Sequence, residues 1–358
     1  MNCSDGPTDV IWDVTYACPL RCTHCYSESG RRASRQLGHD DMLRVADALI
    51  SLRPDGIALS GGEPLLVRGI FEVAERMSRA GIAVTLYTSG WLPEPWMVEY
   101  IVKVFSRVVV SVDGVTPEVH DRIRARAGSF ERAMGALTLL DDAAREHRAC
   151  GDEPLRFGID CVVVESNFHQ LEEFCTTIAP QFPEMQFIWF GAAAPTGLAS
   201  RIGFADHELV TDAQANQLGS GELTEHLQSL APTCVRVGAT DNRALQMHPD
   251  LIASGMAFRA MQVEPDGQVR AMAIYEGTVG NVLTESPVAL WERAIARWGD
   301  PFVTQTLSPV RTMKEWAEAT RRIDYHFGSG EVRARVDRRP PYPAPTRSGD
   351  LTRLVPVI

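Results

Sequence analysis

No cysteine follows Cys234, so the last third of the chain cannot assemble a four-thiolate metal centre. No apolar run approaches the length that crosses a bilayer. The amino terminus, MNCSDGPTDV, has no basic stretch leading into an apolar one, which excludes a secretory signal. Positive charge is also scarce: 35 Lys and Arg against 46 Asp and Glu leave a net charge of −11. That balance argues against a nucleic-acid partner, because the pairs Arg31-Arg32 and Arg338-Arg339 are too short to form a basic patch. The eight cysteines lack the spacing of a disulfide framework, and a reducing cytoplasm is the expected setting.

What is present is a chain of 358 residues, long enough to bury a large core. Strand-like apolar runs alternate with helical patterns, the signature of parallel β-α units. The runs predict strands at Val10–Thr15, Gly56–Ser60, Ala83–Thr88, Arg107–Asp113, Phe157–Val164 and Met185–Gly191. Helices fall between them, for example Asp40–Arg53 and Gly69–Ala80.

The chemistry is concentrated in the stretch YACPLRCTHCY, residues 16–26, where Cys18, Cys22 and Cys25 are spaced C-x3-C-x2-C. A cubane iron–sulfur cluster takes one thiolate on each of four irons, so three thiolates leave one iron open to a small molecule. The other readings are a structural zinc site, with His24 as the fourth ligand that zinc prefers, or three unrelated core cysteines. The run GIALSGGEPLL, residues 56–66, adds a second motif about 36 residues after the third cysteine. It reads as a buried strand whose glycines let the backbone approach a ligand closely.

Together these motifs resemble the radical SAM superfamily, whose cysteine motif is followed by an aromatic residue, here Tyr26. The resemblance implies a partial (β/α)6 TIM-like barrel of the α/β class, one [4Fe–4S] cluster and S-adenosylmethionine. It further implies reductive cleavage of that cofactor to a 5′-deoxyadenosyl radical, which takes a hydrogen atom from substrate. Gly61, Gly62 and Glu63 are then expected against the amino group of the cofactor. Ser111 is expected to hydrogen-bond it, and one of Arg122, Arg124, Arg126 or Arg132 to pair with its carboxylate. A flavodoxin- or ferredoxin-type protein is the expected reductant.

Side-chain parity along barrel strands agrees with a site at their carboxyl ends. Ser111 and Asp113 share a face, as do Asp13 and Thr15, and Thr85, Tyr87 and Ser89. Asp160 interrupts the apolar run FGIDCVVV, so a role toward the ligand is expected of it, while Cys161 then faces outward. Asp113 and Asp160 join Tyr26 and Ser111 as candidate cofactor contacts.

The expected division is a barrel over 1–230, a small α+β extension over 231–331 and a Pro/Arg-rich tail over 332–358. In the extension, Pro265-Asp-Gly267 marks a hairpin turn, and Gly280-Asn-Val282 precedes a helix with Leu290-Trp291. The pattern resembles the SPASM or twitch extension of radical SAM enzymes, without the cysteines for an auxiliary cluster. The tail reads as extended, or as a strap along the surface.

Two features narrow the expected reaction. The cysteine motif begins at residue 18, so no leader-recognition domain is expected ahead of it. Without auxiliary clusters an oxidised product lacks an electron acceptor, so a redox-neutral outcome on a small natural-product intermediate is expected, epimerisation first. Cys234 is the candidate hydrogen donor. The alternative is a maturase acting on a ribosomally made peptide with a separate recognition partner.

Overall fold

Short runs of β-branched and apolar residues form the strands because both of their faces are covered. A computed structural model describes residues 6–91, 94–151 and 155–344. The strands are β1 (Asp9–Thr15), β2 (Gly56–Gly61), β3 (Ala83–Thr88), β4 (Arg107–Ser111), β5 (Phe157–Val163), β6 (Phe187–Ala192) and β7 (Arg236–Thr240). They are followed by β8 (Ala260–Val263), β9 (Gln268–Arg270) and β10 (Thr278–Asn281). All ten form one sheet in the order β10-β9-β8-β1-β2-β3-β4-β5-β6-β7. Every neighbour from β8 through β1 to β7 is parallel, and β9 and β10 turn back antiparallel. The sheet is a curved α/β barrel that does not close, with a small α+β addition after β8.

The helices that cover it follow a 3.6-residue period. In α1 (His39–Ser51), Met42, Val45, Ala46 and Leu49 are buried. In α2 (Ile70–Arg79), Ile70, Val73, Ala74 and Met77 repeat the same i, i+3, i+4, i+7 stripe. Each fully buried aliphatic side chain contributes about 1.5–3 kcal/mol. The other outer helices nearest the site are α3 (Pro95–Val104), α4 (Pro117–Arg124) and α5 (Ser129–Cys150).

All six predicted strands are present within two residues of their expected ends. Two further parallel strands come from residues that were expected in the extension: β7 pairs with β6, and β8 pairs with β1. The predicted hairpin joins β8 to β9, with Glu264 N–H donating to the Gln268 carbonyl at 2.7 Å and Gly267 at φ 84°.

The tail departs from its expected extended form. Residues Gly330–Asp337 are helical because Ser329 Oγ caps the helix, accepting from Val332 N–H at 3.2 Å. Beyond them the chain is a strap, where Tyr342 N–H donates to the Ile202 carbonyl at 2.8 Å and its ring meets Phe204 edge-on. The tail from Pro345 onward and Cys3 lie outside the described residues.

A buried ionic network holds these late segments to the early ones. Arg270, fully buried, pairs with Glu264 at 2.9 Å and Glu276 at 3.7 Å. Arg335 pairs with Glu276 and Glu28, and Arg339 with Glu28 at 2.7 Å. Removing one partner leaves a charge stranded in a low-dielectric interior. Arg270→Met is therefore expected to lower unfolding free energy by about 3–5 kcal/mol. A wild-type urea midpoint would show that these pairs contribute nothing net.

Candidate active site

The chain leaves β1 at Thr15 and makes a loop that closes on itself, with Gly30 N–H donating to the Tyr16 carbonyl at 2.7 Å. Arg21 N–H and Thr23 N–H donate to the carbonyls of Arg124 and Ile123, which fastens the loop to the end of α4. Cys18, Cys22 and Cys25 sit on this loop at the carboxyl ends of the strands and face one cavity of about 740 Å³, which runs through the barrel to Asp9, Gly56 and Arg107 at the strands' amino ends. Burial, then the neighbouring Cys22, pushes the Cys18 thiol up to about 12. Burial likewise pushes Cys22 up to about 11, although Arg124 opposes it. Ligation therefore displaces protons from these thiols.

The donor set fits a cubane better than a single ion. Among the described residues no three His, Cys, Asp or Glu side chains gather closely enough to hold one metal. His24 is committed elsewhere, its Nε2 lying 2.9 Å from Asp113 Oδ2. Arg124 Nη1 reaches Cys22 Sγ at 3.8 Å, placing a cation where a thiolate would carry charge. A cluster held here would have three protein-bound irons and one facing the cavity.

Asp113 does not enter that cavity. It is fully buried behind the loop, where Arg124 Nε lies at 2.6 Å, His24 at 2.9 Å and Val162 N–H at 2.9 Å. Burial alone would raise its pKa, but Arg124 and then His24 outweigh it and hold the carboxyl well below the usual range. Its expected contact with cofactor is thus replaced by a positioning role, since its oxygens are spent on the loop.

Glu63 is corrected in the same way. Its buried carboxylate accepts from Ser89 N–H at 2.8 Å, Ser89 Oγ at 2.6 Å, Thr88 Oγ at 3.0 Å and Leu65 N–H at 3.2 Å. It pins the end of β3 instead of meeting an ammonium group. Gly61 and Gly62 do face the cavity. Gly61 has φ 111°, and a Cβ on Gly62 would collide with the Ala17 carbonyl oxygen, so neither tolerates a side chain. Gly62 N–H donates to Thr15 and Glu63 N–H to Ala17, tying this turn to the cysteine loop.

Three other expected residues line the cavity: Tyr26, Ser111 and Asp160. The Tyr26 hydroxyl donates to Asp13 Oδ1 at 2.6 Å, and Gln262 Nε2 donates to Asp13 Oδ2 at 2.9 Å. Asp160 is paired in register with Ser111 and Trp189, and its carboxylate has no hydrogen-bond partner among the described residues. Burial, then Asp113, pushes its pKa up to about 6. Of the four candidate arginines, Arg124 alone faces the cavity; Arg126 and Arg132 lie over the Trp91 ring.

Cys234 is not brought to the site. It is exposed just before β7, at the amino-terminal edge of the sheet, and its Sγ donates to the Pro183 carbonyl at 3.7 Å. That edge is opposite the three thiols, and Cys234 does not line the cavity, so the geometry does not support the hydrogen-donor role. Cys161 and Cys175 are buried in the core and Cys150 is exposed. Gln262 and Trp189 were missed as site residues, although Gln262 is a lone amide in the run AMQV, a signal that strand parity could have found.

An open parallel barrel with three thiols at its carboxyl end defines a protein that holds a reactive cluster over a strand-lined cavity. Residues 12–151 match the radical SAM superfamily, and the chain carries a radical SAM domain there. The cofactors of that superfamily are a [4Fe–4S] cluster and S-adenosylmethionine. Over 142 residues the chain is 34% identical to the AdoMet-dependent heme synthase of Methanosarcina barkeri, covering 39% of this chain and 41% of that protein. Over 176 residues it is 30% identical to the mycofactocin maturase MftC of Mycolicibacterium smegmatis, covering 49% and 42% respectively. The matched segments span less than half the length of either relative. The fold resembles Streptococcus suis SuiB bound to precursor peptide SuiA, with TM-score 0.60, 14% identity, and 80% of this chain and 65% of that one covered. It also resembles native anSMEcpe with bound AdoMet, with TM-score 0.53, 17% identity, and 81% and 82% covered. Identities this low speak to the fold alone. No helix among the described residues is long and apolar enough to cross a membrane.

Ionised Asp160 costs the folded state more than the unfolded chain, so its contribution to stability is fully present below about pH 4 and is lost as pH rises through about 6. Asp160→Asn is expected to melt several degrees above wild type at pH 8, with the gap closing in acid. A pH-independent gap would contradict this. Gly62→Ala should at least halve the iron retained on anaerobic reconstitution, and full iron loading would refute the need for that close approach.

Proposed function

We propose that this chain is a radical SAM enzyme that abstracts a hydrogen atom from a peptide substrate, working in a reducing cytoplasm with a flavodoxin- or ferredoxin-type reductant. The observation that carries the peptide reading is the seam of the cavity. It is lined by Gly238 and Thr240 on β7, at one end of the sheet order, and by Gln262 on β8 and Ile274 after β9, toward the other end. Among the described residues no ladder joins β7 to β8, β9 or β10, so an extended segment can enter between them and present one side chain to the thiols. The relatives support the same choice: MftC is named a maturase, a Rhizobium meliloti relative a PqqA peptide cyclase, and SuiB was solved with a precursor peptide.

When bound, the cluster and S-adenosylmethionine supply the 5′-deoxyadenosyl radical. The chain's own residues hold and orient them. Cys18, Cys22 and Cys25 take three irons, and the backbone at Gly61 and Gly62 offers its polar groups to the cofactor's amino end. Arg124 supplies the cation for its carboxylate, while Tyr26, Ser111 and Asp160 present polar groups from the barrel wall. Asp113 and Glu63 act through others, fixing Arg124 and the end of β3.

Epimerisation of a small intermediate is the second reading. It needs a hydrogen donor on the far face of the substrate radical, and among the described residues the only cysteines lining the cavity are the three cluster ligands. Tyr87, which also lines the cavity, is the candidate donor in that reading. The two readings separate in one anaerobic assay with deuterium-labelled candidates. Deuterium passing from a precursor peptide into 5′-deoxyadenosine, with a mass change in that peptide, is the expected result. Label arriving only from a sugar or amino acid, with peptide unaltered, would reject the peptide assignment.

A further inference from the structure

Four arginines beside the cysteine loop have no carboxylate within ion-pair distance among the described residues. Arg21 and Arg31 belong to the loop, Arg122 to α4 and Arg201 to the segment after β6. They form one face. Arg31 donates to the carbonyls of Cys22, at 3.2 Å, and Arg21, and Arg201 donates to that of Thr23 at 3.1 Å. Tyr342 lies in the field of Glu208 and of both Arg122 and Arg201. The acids nearby are engaged elsewhere: Glu28 with Arg335 and Arg339, Asp121 with Gly128, Ser129 and Phe130, Asp206 with Lys314, and Glu208 with Ser166 and Tyr342.

Such crowding is costly. Arg201 Nε is buried with no acceptor, and burial together with Arg31 pulls the guanidinium down to about 10. Between these cations Ile202 is 69% exposed, an apolar spot inside a basic ring. Against a chain charge of −11, this is a local reversal of sign. Arginines ringing an exposed aliphatic side chain are the composition of a protein-binding patch.

We propose that this face docks an acidic electron-donor protein, which passes one electron from its reduced flavin to the cluster. The inference rests on the radical SAM reading of the three thiols. Two arguments select this occupant. The inner side of the loop faces the cavity that cofactor and substrate fill, so an electron donor must arrive on the outer side. The patch lies over that outer side, where Arg31 touches the Cys22 carbonyl. Its charge complements an acidic partner and speeds encounter.

The test is stopped-flow reduction of the reconstituted protein by photoreduced flavodoxin, followed by bleaching of cluster absorbance across a salt series. Arg21→Glu combined with Arg122→Glu is expected to slow reduction at least about tenfold at low salt and to flatten the salt dependence. Reduced methyl viologen, a small cation, should react with this variant as fast as with wild type or faster. A wild-type flavodoxin rate in the double variant overturns the proposal. So does an equal loss with viologen, which would mean a damaged loop, and so does an unchanged flavodoxin rate with a raised KM for a peptide, which would assign the patch to substrate. Viologen-driven release of 5′-deoxyadenosine is read in parallel: its absence in wild type defeats the proposed function, while the flavodoxin rates still judge the surface.

Discussion

A carboxylate sealed from water must be surrounded by donors, and Asp113 recruits the groups that shape the cysteine loop. Arg124, His24 and the β5 backbone converge on its two oxygens. Arg124 is thereby aimed at Cys22, and His24 is turned away from the metal position. An unpaired buried charge is expensive, so these contacts are obligatory wherever the fold forms. The loop that carries the three thiols inherits its geometry from that requirement.

Glu63 works by the same logic on the neighbouring strand. Four donors satisfy it, and they bring the ends of β2 and β3 into a fixed relation beside Gly61 and Gly62. Farther out, Glu28 lies three residues beyond Cys25 and is clasped by Arg335 from the helix Gly330–Asp337 and by Arg339 from the strap that follows it. The strap therefore bears on the cysteine loop through charge and not through apolar packing. Buried ion pairs give modest net stability, but they specify a single arrangement wherever mispairing strands a charge.

Much of the barrel was legible because period-2 and period-3.6 patterns are local. The Val-rich run of β4 and the stripe of α2 needed no knowledge of their neighbours. The strands β7 and β8 were not assigned to the barrel, because RVGAT and AMQV are short and their membership is decided by partners far away in sequence. The helix at Gly330–Asp337 was hidden for a similar reason. Its apolar content is low, and it is held by arginine contacts to Glu28 and Glu276 that only folding creates.

The spacing of Cys18, Cys22 and Cys25, the two glycines after β2 and the alternation of strands and helices are properties of neighbouring residues, so the order of residues alone determined the fold class and the cluster chemistry. Which polar residues face ligand was decided by tertiary structure. Asp113 and Glu63 look like site residues in one dimension, yet each has donors from distant segments that turn its oxygens inward. Cys234 looked like a donor until the sheet set it at the opposite edge. A side chain's direction depends on what surrounds it in space, and that information is distributed over the whole chain.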